Sequence, residues 1–303
     1  MHSEPGGRRR TWIFRSLIGL GLVFVLLVAL FVIEGTSGDW RTPIVTRTGG
    51  AAGDARPGSL RVAALNVAKC DVHAGGWSFA SVEEVTSRLD RIATCLGAEP
   101  FDVVLLSEVV FECGPVPVDQ VDYLARKAGF GWYASGENYR FGLPFFRMRT
   151  GNAILSRRTL RPVETQALSG DRPFWNPTNR RRALWCEMEM GEGWLLVGSV
   201  RNDSFDLANN SVQVDQLLRF AEGRPALIGG DFNAPPHSES MEKLRASQRF
   251  VLPTDSMPTF PASSPNRRID EIFGPAAWRV VHSAVFDTGV SDHLGVATTF
   301  EVR

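Results

Sequence analysis

Apolar residues fall in three regimes along the chain. Residues 1–11 are polar, and Trp12 to Ile33 is almost wholly apolar apart from Arg15. From Leu60 onward, short apolar runs alternate with amphipathic stretches. Leu60 to Val67 and Val103 to Leu106 read as buried strands, and Ala153 to Leu155, Ala183 to Met190 and Trp194 to Val200 as further strands. Ala226 to Ile228, Ile269 to Phe273, Arg279 to Val285 and Gly295 to Val302 complete the set. Between them lie three helical patterns. Ser81 to Leu96 opens with a capping box, Ser81 followed three residues later by Glu84. The others run near Val118 to Ala128 and from Asn209 to Ala221. Strands and helices alternate without a short internal repeat, which predicts two sheets packed face to face with helices outside.

The first apolar run is of membrane-spanning length. As a helix, Ser16 to Ile33 would extend roughly 27 Å at about 1.5 Å per residue, against a hydrocarbon core of about 30 Å. A secretory signal has a shorter apolar region and a small-residue cleavage site, whereas Glu34 follows this run directly. The expectation is an uncleaved anchor, with cleavage near Thr36 to Gly38 as the alternative. Arg8, Arg9 and Arg10 precede the run, so the positive-inside rule places the N-terminus in the cytoplasm and the remaining chain outside. Residues 34–59, rich in Gly, Thr, Ala, Arg and Pro, read as a flexible linker to a domain spanning 60–303.

The 303 residues carry no formal net charge. Setting aside residues 1–59, with seven arginines and four acidic residues, leaves 26 basic against 29 acidic side chains in the domain. That balance weighs against tight sequence-independent binding of duplex DNA. Four cysteines are too few for a disulfide scaffold. Cys70 and Cys113 are the best candidates for a pair, with free buried thiols as the alternative.

Chemistry concentrates where apolar runs end. Leu227-Ile-Gly-Gly-Asp-Phe-Asn-Ala-Pro-Pro236 stops a strand at a carboxylate and an amide two residues apart, which an extended backbone would aim the same way. Taken alone, the stretch reads first as a Gly-Gly-Asp turn capped by Asn233. Yet Asn66, Glu108, Asp270 and Asp292-His293 also lie at strand ends, where a rigid scaffold gathers functional groups. A set of Asn, Glu and Asp oxygens suits magnesium, manganese or calcium and lacks the thiolates and imidazoles usual for zinc.

The ordered set Leu60-Arg-Val-Ala-Ala-Leu-Asn66, Asp102-Val-Val-Leu-Leu-Ser-Glu108, Gly151-Asn-Ala-Ile-Leu-Ser156, Gly230-Asp-Phe-Asn233, Arg268-Ile-Asp-Glu-Ile-Phe273 and Ser291-Asp-His293 resembles the endonuclease/exonuclease/phosphatase superfamily, the pancreatic-deoxyribonuclease-like fold. The resemblance covers roughly residues 60–303. It implies an α/β, four-layer αββα sandwich and a divalent-metal-dependent phosphoesterase of nuclease or phosphodiesterase type. Glu108 would be the principal metal ligand, supported by Asn66 and Asp292. Asp231 would orient or deprotonate the attacking water and Asn233 would hydrogen-bond the phosphate. His293 would contact a phosphate oxygen, oriented by Asp270.

One family element is missing. Where a Thr-His pair usually ends the strand before the 209–221 helix, this chain reads Val197-Gly-Ser-Val-Arg-Asn-Asp-Ser204. Val200 or Arg201 takes the histidine's place, and Arg201 offers a permanent charge but no acid–base function. Asn152, Arg182, Arg201 and Asn202 are the substrate-binding candidates. Arg140, Arg147, Arg149 and Arg180 to Arg182 lie among Tyr139, Phe141, Phe145, Phe146, Phe174 and Trp175, suiting stacked bases over phosphates or lipid head groups equally. The implied partners are a phosphodiester, nucleic acid or phospholipid, and a membrane, with no obligate protein partner evident. The competing reading is a catalytically weak binding module on the same fold.

Overall fold

The computed structural model describes residues 6–36, 41–50, 58–75, 78–143, 146–171, 180–253 and 257–302. The chain opens with helix α1 (Gly6–Thr36), followed by strands β1 (Ile44–Arg47) and β2 (Ser59–Asn66) and a small hairpin, β3 (His73–Gly75) and β4 (Ser78–Phe79). Next come α2 (Val82–Ala98), β5 (Val103–Cys113), α3 (Gln120–Lys127), β6 (Trp132–Leu143), β7 (Phe146–Ser156), β8 (Leu160–Leu168), β9 (Arg181–Met190) and β10 (Gly193–Arg201). The remainder is α4 (Leu207–Phe220), β11 (Ala226–Asp231), α5 (Glu239–Ala246), β12 (Phe250–Val251), β13 (Asp270–Pro275), β14 (Arg279–Phe286) and β15 (Gly295–Glu301).

Two mixed sheets result, ordered β1-β6-β7-β5-β2-β15-β14 and β12-β13-β11-β10-β9-β8. Side-chain parity decides which face each residue serves. On β2, Val62 and Ala64 enter the core between the sheets, whereas Ala63 and Leu65 join the layer holding Leu89, Ile92 and Leu96 of α2. On β11, Leu227 enters the inter-sheet core and Ile228 joins the layer of α4 and α5, with Leu217 and Leu244. This period-two alternation with both faces buried is the expected pattern of a two-sheet sandwich flanked by helices. The capping box at Ser81 and Glu84 forms as the sequence predicts, each side chain bonding the other's backbone.

Residues 34–59 are not a uniform tether. Val45 packs on the inter-sheet core, β1 pairs antiparallel with β6 at the sheet edge, and the Thr48 amide donates to Gly131 at 3.0 Å. A four-residue edge strand is too short to leave a periodic signal. Residues 37–40 and 51–57 lie outside the described residues. All four cysteines are free thiols, Cys70, Cys113 and Cys186 buried and Cys95 partly so. The Trp12–Gly35 portion of α1 is long and apolar enough to cross a bilayer, and no part of its most apolar stretch is buried by the protein.

Candidate active site

The inter-sheet parity continues past the core to the rim, and there it delivers polar groups. Asn66 lies two residues beyond Ala64 on β2, Asp231 four beyond Leu227 on β11, Arg201 four beyond Val197 on β10, and Asp270 two before Ile272 on β13. Each core residue named faces between the sheets, so each polar residue does too. The Asn66 amide therefore donates to Asp231 Oδ2 at 3.1 Å across the two sheets.

Glu108 breaks this parity and reaches the site by another device. After Val103 and Leu105, position 108 would face the helices. Instead the β5–β7 register shifts between Leu106 and Val109, and Glu108 has φ +54°. This bulge re-aims the carboxylate, and β5 continues to Cys113 rather than ending at Leu106 as the apolar run suggests. Asn66 Nδ2 donates to Glu108 Oε1 at 3.0 Å, and Arg201 approaches the same oxygen at 2.6 Å. Lys69 bonds Oε2 from a left-handed turn in which residues 68–71 all have positive φ. Buried Gln120 braces that turn, donating to the Lys69 carbonyl at 2.8 Å while accepting from Val110 N at 2.9 Å. Burial opposes ionisation of Glu108, but the charges of Arg201 and Lys69 overcome it and hold the carboxyl at about 2.

Asp231 is the contrary case. Burial, then the charge of Asp270, raises it to about 7 despite the nearby charges of His293 and Arg201. Its Oδ1 accepts from the Asn233 amide at 3.0 Å and its Oδ2 from Asn233 Nδ2 at 3.1 Å. Asn233 reaches this position with φ +51°, so a left-handed turn, rather than the extended backbone the spacing suggests, brings the pair together. Gly230 precedes them at φ +137°, where a Cβ would lie 2.2 Å from the Val200 carbonyl oxygen. Only glycine fits there.

The β14–β15 loop supplies His293. Ser291 Oγ donates to the Asn66 carbonyl at 2.6 Å and accepts from His293 N at 3.0 Å, pinning the loop to β2. His293 Nδ1 pairs with Asp270 Oδ2 at 2.9 Å, and Nε2 faces Asn66 Nδ2 at 3.4 Å. Burial alone would lower the His293 pKa, but the Asp270 bond and the charges of Asp270, Asp231 and Asp292 raise it to about 9.

Asn66, Glu108, Asp231, Asn233, Asp270, His293 and Arg201 thus form one bonded cluster, whereas Val200 is buried in the core on the helix side. Asp292 is exposed beside it and acts on His293 through its charge. Asn202 is buried; its carbonyl accepts from Asn233 Nδ2 at 3.0 Å, so it positions the cluster and presents no side chain to a substrate. Asn152 and Arg182 lie on the same inter-sheet face, two residues from Ile154 and Leu184, and both are engaged in internal bonds. Asn152 is fully buried and donates to the Arg182 and Ser199 carbonyls at 2.9 and 3.2 Å, joining the sheets, and Arg182 donates to the Thr165 carbonyl at 3.3 Å. Arg140, Arg147 and Arg149 are strand residues of β6 and β7 paired with Glu34, Glu112 and Glu137. Phe145, Phe174 and Trp175 lie outside the described residues. Lys69 was not foreseen, and a single lysine beyond a strand gives no sequence signal of its destination.

The donors suit a hard divalent cation. Glu108 is an ionised carboxylate already drawing two cationic groups, and the ligand atoms of Asp231, Asp270 and His293 lie within 4.8 Å of one another. Asp270 Oδ1 is buried without a hydrogen-bond partner.

Fold and site together define a two-sheet sandwich flanked by helices, with a bonded cluster of carboxylates, amides and an imidazole at the rim between the sheets. The chain belongs to the endonuclease/exonuclease/phosphatase family, which matches residues 63–293. No curated protein matches the sequence. Among solved structures, an endonuclease/exonuclease/phosphatase from Beutenbergia cavernae is similar at TM-score 0.64 and 22% identity, over 80% of this chain and 72% of that one. The D. rerio protein TDP2 in complex with a single-strand DNA product is similar at TM-score 0.56 and 17% identity, over 80% and 98%. A mannosyl-6-phosphatase from Bacteroides thetaiotaomicron is similar at TM-score 0.56 and 16% identity, over 80% and 99%.

Proposed function

We propose that the protein is a membrane-tethered, divalent-metal-dependent phosphodiesterase acting outside the cytoplasm by in-line attack of water on phosphorus. The observation that carries this reading is the single bonded cluster of Asn66, Glu108, Asp231, Asn233, Asp270 and His293 at the rim between the sheets. Glu108, with Asn66 and Asp292, would hold magnesium, manganese or calcium, and the bound ion would offset phosphate charge. Asp231, raised to about 7, suits a base that takes the proton of the attacking water. Asn233 and the His293 imidazolium donate to phosphate oxygens as charge builds, and Arg201 adds a fixed positive charge. The apolar Trp12–Gly35 part of α1 supplies the tether, and Arg8 to Arg10 just before that part set the N-terminus in the cytoplasm.

The test is hydrolysis of bis(p-nitrophenyl) phosphate by detergent-solubilised full-length protein with magnesium, manganese or chelator. Turnover should be chelator-sensitive and fall by about 100-fold or more in Asp231→Ala. Unchanged hydrolysis in that variant would refute the assignment. One observation favours a second reading, a phosphate- or protein-binding module: Arg201 and Lys69 already engage both oxygens of Glu108. Phosphate-ester binding without turnover, at every metal tried, would select it.

A further inference from the structure

Two cavities outside the catalytic cluster share walls. One, of about 450 Å³, lies between the second half of α1 and the end of the β6–β7 hairpin, lined by Leu27, Phe31, Phe79, Phe141, Leu143 and Phe146 among others. The second, of about 540 Å³, shares Phe31, His73 and Phe141 with it and extends to Lys69, Asp71 and Tyr139. Lys69 bonds Glu108. The combined space is apolar beside the membrane-length helix and polar beside the catalytic carboxylate, which is the polarity order of an amphiphile.

A ring of charges fixes this arrangement. Glu34, at the end of α1, pairs with Arg140 at 3.3 Å and Arg147 at 2.9 Å. Arg140 pairs with Glu137 at 2.7 Å, Glu137 with Arg149 at 2.7 Å, Arg149 with Glu112 at 3.3 Å and Glu112 with Arg147 at 2.8 Å. Three glutamates and three arginines thus close on themselves, neutral overall and joining helix to domain. Beyond the ring both elements turn apolar together. From Glu34 back to Phe24, α1 descends about 15 Å at about 1.5 Å per residue. From Arg140 to Leu143, β6 descends about 10 Å at about 3.3 Å per residue. A bilayer crossed by α1 would therefore receive the hairpin at the boundary of head groups and acyl chains, about 5–10 Å deep.

We propose that the substrate is a phosphodiester lipid of that bilayer. Its acyl portion lies in the groove between α1 and the hairpin, and its phosphate reaches past Lys69 to the Glu108 edge of the site. Water adds to phosphorus, the bond from phosphorus to one ester oxygen breaks, and that oxygen takes up a proton, releasing an alcohol and a phosphomonoester. The proposal rests on the phosphodiesterase reading above. It is favoured over nucleic acid because the arginines of the hairpin are paired with glutamates within a neutral ring, and because the domain carries 26 basic against 29 acidic residues.

The test places full-length protein in nanodiscs of phosphatidylcholine, phosphatidylethanolamine and phosphatidylglycerol, with single-stranded DNA and bis(p-nitrophenyl) phosphate as competing soluble probes. Lipid hydrolysis should exceed DNA cleavage at equal phosphate concentration. In Leu143→Asp, the ratio of lipid to soluble-diester turnover should fall about tenfold, the order expected when a leucine-sized apolar contact becomes a charge. Leu143→Ile should restore the ratio, and a fold defect would depress both activities together. Cleavage of DNA or the soluble diester without lipid hydrolysis overturns this proposal and leaves the phosphodiesterase reading standing. An unchanged ratio in Leu143→Asp overturns it as well. No cleavage of any probe removes both.

Discussion

Replacing Gly230 by alanine tests how the strand that carries Asp231 is held. Gly230 has φ +137°, and an added Cβ would meet the Val200 carbonyl oxygen at 2.2 Å and the Val200 nitrogen at 3.1 Å. Those are backbone atoms of the adjacent parallel strand, so no rotamer change relieves the contact. The conformational cost is about 1–2 kcal/mol and overpacking adds about 1–3 kcal/mol. Reduced freedom of the unfolded chain offsets about 0.4–1 kcal/mol. The net loss is on the order of 1–5 kcal/mol, which for a domain of this size lowers Tm by about 2–20 °C. Gly191→Ala is the matched control. Its φ is +61° and a Cβ there meets nothing within 4 Å, so only the conformational part applies. In the β10–β11 register Val200 pairs with Gly230 and Arg201 with Asp231, so strand separation would also pull Asp231 from Arg201 and Asn66. Diester hydrolysis should then fall by about 100-fold in Gly230→Ala and remain at the native rate in Gly191→Ala. Thermal unfolding of both variants in detergent, followed by circular dichroism, decides the matter. If Gly230→Ala melts as close to the native protein as Gly191→Ala does, the contact argument is wrong.

Other outcomes follow from the same cluster. His293 is raised above its ordinary value, so its pair with Asp270 stabilises fully below pH 6.5 and that contribution is lost as pH rises through about 9. Asp270→Asn should therefore cost about 1.5–3 kcal/mol in urea unfolding at pH 6 and much less at pH 10; an equal cost at both would refute the charged pair. Glu108 is depressed to about 2, so its stabilisation is present above pH 4.5 and lost as pH falls toward 2. Arg201→Met should move acid unfolding to higher pH, and an unmoved midpoint would show that the Arg201 pair does not stabilise the carboxylate. Burial pushes the Cys70 and Cys186 thiols up to about 12. A thiol reagent at pH 8 should label Cys95 in the native protein and reach Cys70 and Cys186 only on unfolding; rapid native labelling of either would contradict their burial.

Sequence reasoning reached the residues whose position follows from strand parity. Asn66, Asp231 and Asp270 stand at the ends of apolar alternations, and the alternation that identifies the core also states which way they face. It succeeded less well where the backbone leaves the strand conformation. Glu108 depends on a bulge and Asn233 on a left-handed turn, and neither a glutamate nor an asparagine announces positive φ as glycine does. Strands β6 and β8 were not foreseen because glycines, charged residues and Pro162 interrupt their alternation. Helix α5 was likewise absent from the predicted elements, although Ser238 caps it. The arginine-rich aromatic stretch was open to misreading for a further reason. Composition gives the charges of Arg140, Arg147 and Arg149 but not their glutamate partners, one of which, Glu34, is 106 residues from Arg140 in the chain.

Arg201, placed beside Glu108, divides the cluster into two halves with different responses to pH. On one side Glu108, held at about 2, keeps its charge across the physiological range, because each of its oxygens faces a cationic group, Arg201 or Lys69. On the other side Asp231 and His293, held at about 7 and about 9, change protonation near it. Asn66 joins the halves, donating to Glu108 at 3.0 Å and Asp231 at 3.1 Å, and facing His293 at 3.4 Å. An amide does not titrate, so it transmits position between the halves without transmitting protons. A histidine at position 201 would place a third titrating group beside Glu108 and erase that division. Arginine confines proton handling to the Asp231–His293 side and leaves the Glu108 side as a constant electrostatic anchor for phosphate or its counter-ion. The pH dependence of catalysis should accordingly report the coupled behaviour of Asp231 and His293, while affinity for a divalent cation at Glu108 should stay nearly flat above pH 4.5.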